Sequence, residues 1–334
     1  MATHHTVSEG IEMRNRFMKC LLLFLLILFI QGGVGIPILL GHETGNKGAP
    51  GEVRPAAFAG SFYPASESQL REMISSMLNN APEVEPEGEI LAAMAPHAGY
   101  VFSGNVAACT FRCLSKLDVD TLVIIGHDSY QKSVAFTCSA DYFQTPLGNV
   151  PVDREMIRKM HQFNGGIKNN RLFHARDQTI EIQLPFLQVL GLKCKIVPIL
   201  FGYPTLENCR ILSEAIFSAG KGKKVFILAS TDMSHYPSYE SANRLDNSTL
   251  NVLKSLDVNR LFTHLTDRRT LGSIPNLQTA LCAMGGVGTA ILYSKARGAN
   301  YAQILRYANS GDTVMGDKSK VVGYSSVLFV KREP

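Results

Sequence analysis

Four short segments of this chain carry imidazole, carboxylate or thiol groups in settings where such groups can react. The first is Ala95-Pro96-His97-Ala98-Gly99-Tyr100, where proline and glycine hold His97 on a tight turn beyond an apolar run. The second is Gly126-His127-Asp128-Ser129, after the run TLVIIG (121–126). In the third, Asp232-Met233-Ser234-His235, an Asp-x-x-His spacing can bring a carboxylate to an imidazole, orienting the ring and raising its basicity. The fourth is Cys282 within Leu281-Cys282-Ala283-Met284, read as part of an apolar helix. Each has a plain alternative: a turn histidine bonded to backbone, an ordinary Asp-Ser turn, an Asx turn, or a small thiol packed in a core. Together they offer the two kinds of chemistry that imidazole, carboxylate and thiolate share. Cys282 and either His127 or Asp128 could ligate a transition metal, His97 could point into a cleft, and Asp232 and His235 are candidate proton-transfer groups.

Such groups react only if the fold gathers them. In α/β proteins that happens on loops beyond the carboxyl ends of strands. Apolar, β-branched runs at 91–96, 121–126, 134–138, 195–201 and 224–230 have strand length, and two more close the chain at 301–308 and 321–330. Helical patterns fill 65–78, 103–117, 153–163, 179–190, 206–219, 240–255 and 277–295. In the first of these, Ser66 and Gln69 have the spacing of a capping box. Strand–helix alternation with continuously apolar strands predicts one α/β domain with a mixed, largely parallel central sheet flanked by helices. No internal repeat and no linker interrupts residues 56–332.

The chain has 334 residues, 46% of them hydrophobic and 18% charged, which excludes a disordered polymer. Its net charge of +5 is spread thinly, with no basic run or aromatic-interleaved stripe, so nucleic acid is not an expected partner. Seven cysteines without a CxxC pair make neither a disulfide framework nor a zinc knuckle. Residues 20–30 read CLLLFLLILFI behind Arg14, Arg16 and Lys19, the pattern of a secretory signal with small residues at Gly33 and Gly35. Extended to Leu40, the same segment reaches roughly 31 Å, enough to cross a bilayer as an uncleaved anchor. Either way residues 1–40 predict export or membrane attachment with the domain outside; the alternative is a cytoplasmic protein. Residues 41–55, Gly- and Pro-rich, read as a linker.

The order of the motifs adds a resemblance. AGSFYP (59–64), APHAGY (95–100), TPLGNVPVD (145–153), IEIQLPFLQ (180–188), STDMSH (230–235), LC (281–282), YANSGD (307–312) and VGY (322–324) are similar to segments of the Memo family, also called AmmeMemoRadiSam system protein B. That family is related in fold to class III extradiol ring-cleaving dioxygenases. The resemblance covers nearly everything after residue 56 and implies a cleft lined by His, Asp and Cys. His97, Cys282 and the pair Asp232 and His235 match the family's positions.

Two family histidines do not match: Ser129 stands where one is expected and Gln178 where another is, and the family's Cys-Gly has become Cys282-Ala283. A catalytic transition metal needs at least three protein donors. His97 and Cys282 supply two; His127 is the nearest substitute for the third, but on an extended turn it starts ~6–7 Å from position 129, and Asp232 or His235 would complete the set if they reach. The resemblance therefore implies a dioxygenase-like site for iron or copper whose activity depends on a third donor. The rival readings are a non-catalytic module for a peptide or small ligand and, last, a metal-dependent hydrolase. For the hydrolase neither HExxH nor GxSxG appears.

Overall fold

The computed structural model describes residues 51–333. The expected signal or anchor over residues 1–40, and most of the expected linker, lie outside the described residues. Among the described residues no helix is long and apolar enough to cross a membrane.

The strands are β1 (Val53–Arg54), β2 (Glu89–Ala95), β3 (Thr121–Asp128), β4 (Ala135–Thr137), β5 (Tyr142–Thr145), β6 (Gly148–Pro151), β7 (Ile167–Asn169), β8 (Lys195–Phe201), β9 (Val225–Ser230), β10 (Tyr301–Asn309) and β11 (Gly323–Lys331). Eight of them form one sheet in the order β10-β11-β2-β9-β3-β8-β4-β7. Its four central strands, β2, β9, β3 and β8, run parallel; β10 and β11 are antiparallel additions at one side, and β4 pairs antiparallel to β8 at the other. The fold is thus the expected α/β domain with a mixed sheet. A second, three-stranded sheet (β1-β5-β6) was not apparent in the sequence, and it places Val53 and Arg54 of the presumed linker in a strand. Its strands are two to four residues long, too short to show a period.

The helices are α1 (Glu67–Asn80), α2 (Tyr100–Cys113), α3 (Arg154–Phe163), α4 (Arg171–Ala175), α5 (Leu184–Val189), α6 (Leu206–Ala219), α7 (Tyr239–Leu253), α8 (Val258–Thr266), α9 (Arg268–Gly272) and α10 (Met284–Ala296). Helix α10 packs on β2, β9 and β3 beside α6 and α8, while α2 packs on β2, β10 and β11 beside α1 and α5. Covered on both faces, the central strands are apolar throughout: Ile124, Ile125, Ile227 and Leu228 are fully buried, each contributing roughly 1.5–3 kcal/mol.

Two local expectations differ. Ser66 is the N-cap residue of α1 but makes no side-chain cap; its hydroxyl lies 3.1 Å from Ser68 Oγ instead. The last helix begins at Met284 rather than 277, so Cys282 sits on the loop before it, not inside an apolar helix.

Candidate metal centre

Strands β2, β9 and β3 lie side by side and parallel, so the loops beyond their carboxyl ends emerge together. His97 and Asp232 lie on those loops, and His127 lies in the last stretch of pairing at the carboxyl end of β3. The start of α10 brings Cys282 to the same point: Cys282 N–H donates to Asp232 O and Asp232 N–H donates to Cys282 Sγ, both at 3.2 Å. Thr231 braces the junction, its Oγ1 accepting from Ala283 N–H at 3.1 Å.

The nitrogens of His97 and His127 and the sulfur of Cys282 all lie within 4.8 Å of one another. Cys282 Sγ is 3.2 Å from His97 Nε2, and the two imidazole rings meet edge to face at 4.6 Å between centroids. Second partners fix which nitrogen of each ring faces the sulfur. Ser230 Oγ donates to Thr179 O at 2.6 Å, so it can only accept from His97 Nδ1, 3.2 Å away. That keeps the proton on Nδ1, directed at Ser230 Oγ, and turns Nε2 toward the thiol. Gln183 Nε2 steadies the arrangement, donating to Ser230 Oγ at 2.8 Å and to Pro96 O at 2.9 Å. For His127 the orienting group is a carboxylate: Nδ1 lies 3.1 Å from Asp177 Oδ2. Asp177 Oδ1 in turn accepts from Thr179 N–H and its hydroxyl.

His127 enters the cluster because of a β-bulge. Against β8, Gly126 pairs with Leu200 and Asp128 with Phe201, so two residues of β3 oppose one of its partner at position 127. A bulge bends the strand and re-aims the extra side chain. The extended-turn spacing argument against His127 therefore fails; the bulge supplies the donor whose absence Ser129 suggested. Gly126 is required beside it, since a Cβ there would lie 1.9 Å from Thr179 Oγ1.

The protonation balance of the cluster follows from its burial and charges. His97 is 1% exposed, whereas the His127 side chain is about a third exposed and opens the cluster to solvent. Burial pushes the Cys282 thiol up, but the His97 charge and hydrogen bonding to His127, His235 and His97 outweigh it and hold it well below its ordinary value. Burial pushes both cluster imidazoles down, and the thiolate with Asp232 (for His97) or Asp177 (for His127) pulls them up further. In the metal-free cluster the proton of the thiol accordingly belongs on a ring nitrogen, and a metal ion binding there would displace it to leave both imidazoles neutral. Burial raises the Asp177 carboxyl, yet the hydrogen bond and charge of His127 bring it down to about 2, so it is an anion at neutral pH.

The remaining sequence candidates lie close but serve otherwise. Asp232 Oδ1 accepts from His97 N–H at 2.8 Å and Oδ2 is 3.9 Å from His97 Nε2. It shapes the His97 turn and stands outside the three-donor set. His235 is held by backbone pairing with Thr279 and Val322, and its Nε2 is buried without a hydrogen-bond partner of normal geometry. The turn before it is pinned by Asp246, which accepts from Ser234 N–H and Oγ at 3.0 Å each. Gln178 contributes its carbonyl to Ile182 N–H. Asp177, beside it, is the orienting partner of His127 that the sequence did not single out. Cavities of about 650 and 630 Å3 open at the amino ends of the parallel strands and are lined by none of these groups.

A family profile for Memo-like proteins matches residues 54–328. The chain belongs to the Memo family. A MEMO1 family protein of Archaeoglobus fulgidus is 36% identical over 281 residues, which are 83% of this chain and 99% of that protein. One of Thermococcus onnurineus is 35% identical over 302 residues, 84% of this chain and all of the relative. A third, from Nitrosopumilus maritimus, is 30% identical over 285 residues, again with full coverage of the relative. The Memo motifs and the gathered donors thus describe the same part of the molecule.

The donor set fits a transition ion. Two neutral imidazole nitrogens with their opposite nitrogens tied, plus a thiol predisposed to ionise, are the chemistry that iron, copper or zinc takes. Atoms each ~2.0–2.3 Å from one ion are roughly 3–4.5 Å apart, close to the separations found here.

Proposed function

We propose that this Memo-family protein is a metal-dependent redox protein whose site takes iron or copper through His97 Nε2, His127 Nε2 and Cys282 Sγ. The observation that carries the reading is the convergence of these three donors within 4.8 Å, each imidazole oriented by its own hydrogen-bond partner. A bound iron or copper ion would supply one-electron or dioxygen chemistry of the dioxygenase-like kind.

The chain's own residues have distinct parts. Asp177 and Ser230 hold the Nδ1 protons, leaving both Nε2 lone pairs for the centre. Cys282 gives up its thiol proton, and the N–H of Asp232 stabilises the resulting sulfur anion at 3.2 Å. His235 Nε2, buried and free of a normal hydrogen bond, is the group we assign to proton transfer with a substrate, and Asp232 sets the turn beside it. The exposed edge of His127 marks the side from which a small molecule or peptide would approach.

The test is metal content. Protein refilled anaerobically with Fe(II) or Cu(I) should hold about one ion per chain, measured by mass spectrometry, and His97→Ala should abolish it. Sub-stoichiometric metal that His97→Ala leaves unchanged would refute the reading.

A further inference from the structure

Helix α10 begins without a cap of its own. Ala283 occupies the N-cap position and has no side-chain acceptor, although the first turn of a helix leaves its N–H groups unpaired. The missing acceptor comes from another element. Asp128, the last residue of β3 and 7% exposed, accepts from Gly285 N–H with both carboxylate oxygens, at 3.0 and 3.2 Å. The contact depends on glycine at 285, where a Cβ would lie 2.3 Å from the Phe201 ring. Burying a carboxylate is costly, and the positive end of the helix offsets part of that cost.

A serine at 283 would cap the helix locally with less burial. What a local cap cannot do is join two segments. Asp128 adjoins His127 in the chain, and Gly285 lies three residues beyond Cys282. One side chain thus ties the strand bearing one donor to the helix start bearing another.

We propose that Asp128 is a positioning residue that sets the spacing between the His127 imidazole and the Cys282 sulfur by capping α10 from β3. The proposal rests on the metal-centre reading above, but one arm of its test does not need a metal.

The full-length chain is titrated with Co(II) alone, following the thiolate-to-cobalt charge-transfer absorption. Asp128→Asn keeps a carbonyl acceptor and should bind within about threefold of the wild type. Asp128→Ala should lose about tenfold or more in affinity, together with charge-transfer intensity. The double variant Asp128→Ala/Ala283→Ser restores a helix cap without the tie, and it also serves if Asp128→Ala does not fold. It should remain as weak as Asp128→Ala, whereas recovery of affinity would overturn the proposal by reducing Asp128 to a helix stabiliser. Wild-type affinity in Asp128→Ala, or an Asn variant as weak as Ala, would overturn it too. If the wild type gives no charge-transfer band, the metal reading fails and the positioning claim is decided in metal-free protein. There, the plateau rate of Cys282 alkylation by iodoacetamide, read at the high-pH limit of each variant's own pH profile, should be about fivefold or more faster in the double variant than in the wild type. Equal rates would overturn the claim.

Discussion

Asp177 Oδ2 lies 3.1 Å from His127 Nδ1, and this pairing leaves Nε2 as the nitrogen that faces Cys282. The carboxylate stands beside Gln178, the position at which the family's histidine is missing, and it works through a ring fifty residues away in sequence.

Asp177→Ala should weaken iron or copper binding about 10–100-fold, as loss of the group orienting a ligand histidine does elsewhere. Asp177→Asn, which retains an oxygen acceptor for Nδ1–H, should recover part of that loss. Competition titration with a chromophoric chelator reads both. Unchanged affinity in Asp177→Ala would mean that His127 is oriented by something else or is not a ligand.

Gly126 permits the close approach of residue 179 to β3. In Gly126→Ala the new Cβ meets Thr179 Oγ1 at 1.9 Å, and Thr179 cannot withdraw without releasing Asp177. The variant should lose about 1–3 kcal/mol of stability by urea unfolding and bind metal more weakly than the wild type. A wild-type unfolding midpoint would show that the loop yields freely.

How much of this was legible in the sequence depended on the range of the interaction. The strands 195–201 and 224–230, nearly as the structure has them, announce themselves as apolar runs because both faces of the sheet are covered. His97, Asp232 and Cys282 could be found because each sits in a motif near the end of an element. The bulge at His127 could not, since it is a property of the pairing with β8 and leaves no mark within β3 itself. The partners of the rings were hidden for the same reason. Nothing in Asp177 or Ser230 as letters says that one meets His127 and the other His97 across distant stretches of chain. The late start of α10 escaped because residues 277–283 are as apolar as a helix start, while Thr279 bonds locally to Leu281 instead.

The segment bearing Asp177 is itself braced by Arg54, which donates to Asp177 O at 2.8 Å and to His174 O and forms a buried ion pair with Glu181. Glu181 also accepts from Ala57 and Phe58 N–H, so it fastens the start of the domain to the loop before α5. Removing one partner leaves a charge buried without its counter-ion. Glu181→Gln should therefore cost about 3–5 kcal/mol in denaturant unfolding. A loss below about 1 kcal/mol would show that the neutral neighbours of Arg54 suffice.

His174 should make the fold sensitive to acid. Burial depresses its imidazole to about 4, with Nε2 against Phe136 O at 3.0 Å and Nδ1 unpartnered. Between that value and the unfolded one of about 6.5, the unfolded chain binds more protons than the native one, so stability rises with pH across this window. The contribution is fully present above about 6.5 and is lost as pH falls toward 4, roughly 3 kcal/mol in all. His174→Gln, whose amide can still donate to Phe136 O, should flatten the dependence of urea stability on pH over this range. A slope identical to that of the wild type would assign the acid sensitivity to other groups.

The most direct test of the metal centre is X-ray absorption at the iron or copper edge on anaerobically loaded, full-length protein. The account predicts imidazole scatterers together with one sulfur, with the sulfur lost in Cys282→Ser and the imidazole contribution reduced in His127→Ala. A spectrum without sulfur, or one that neither substitution alters, would contradict it.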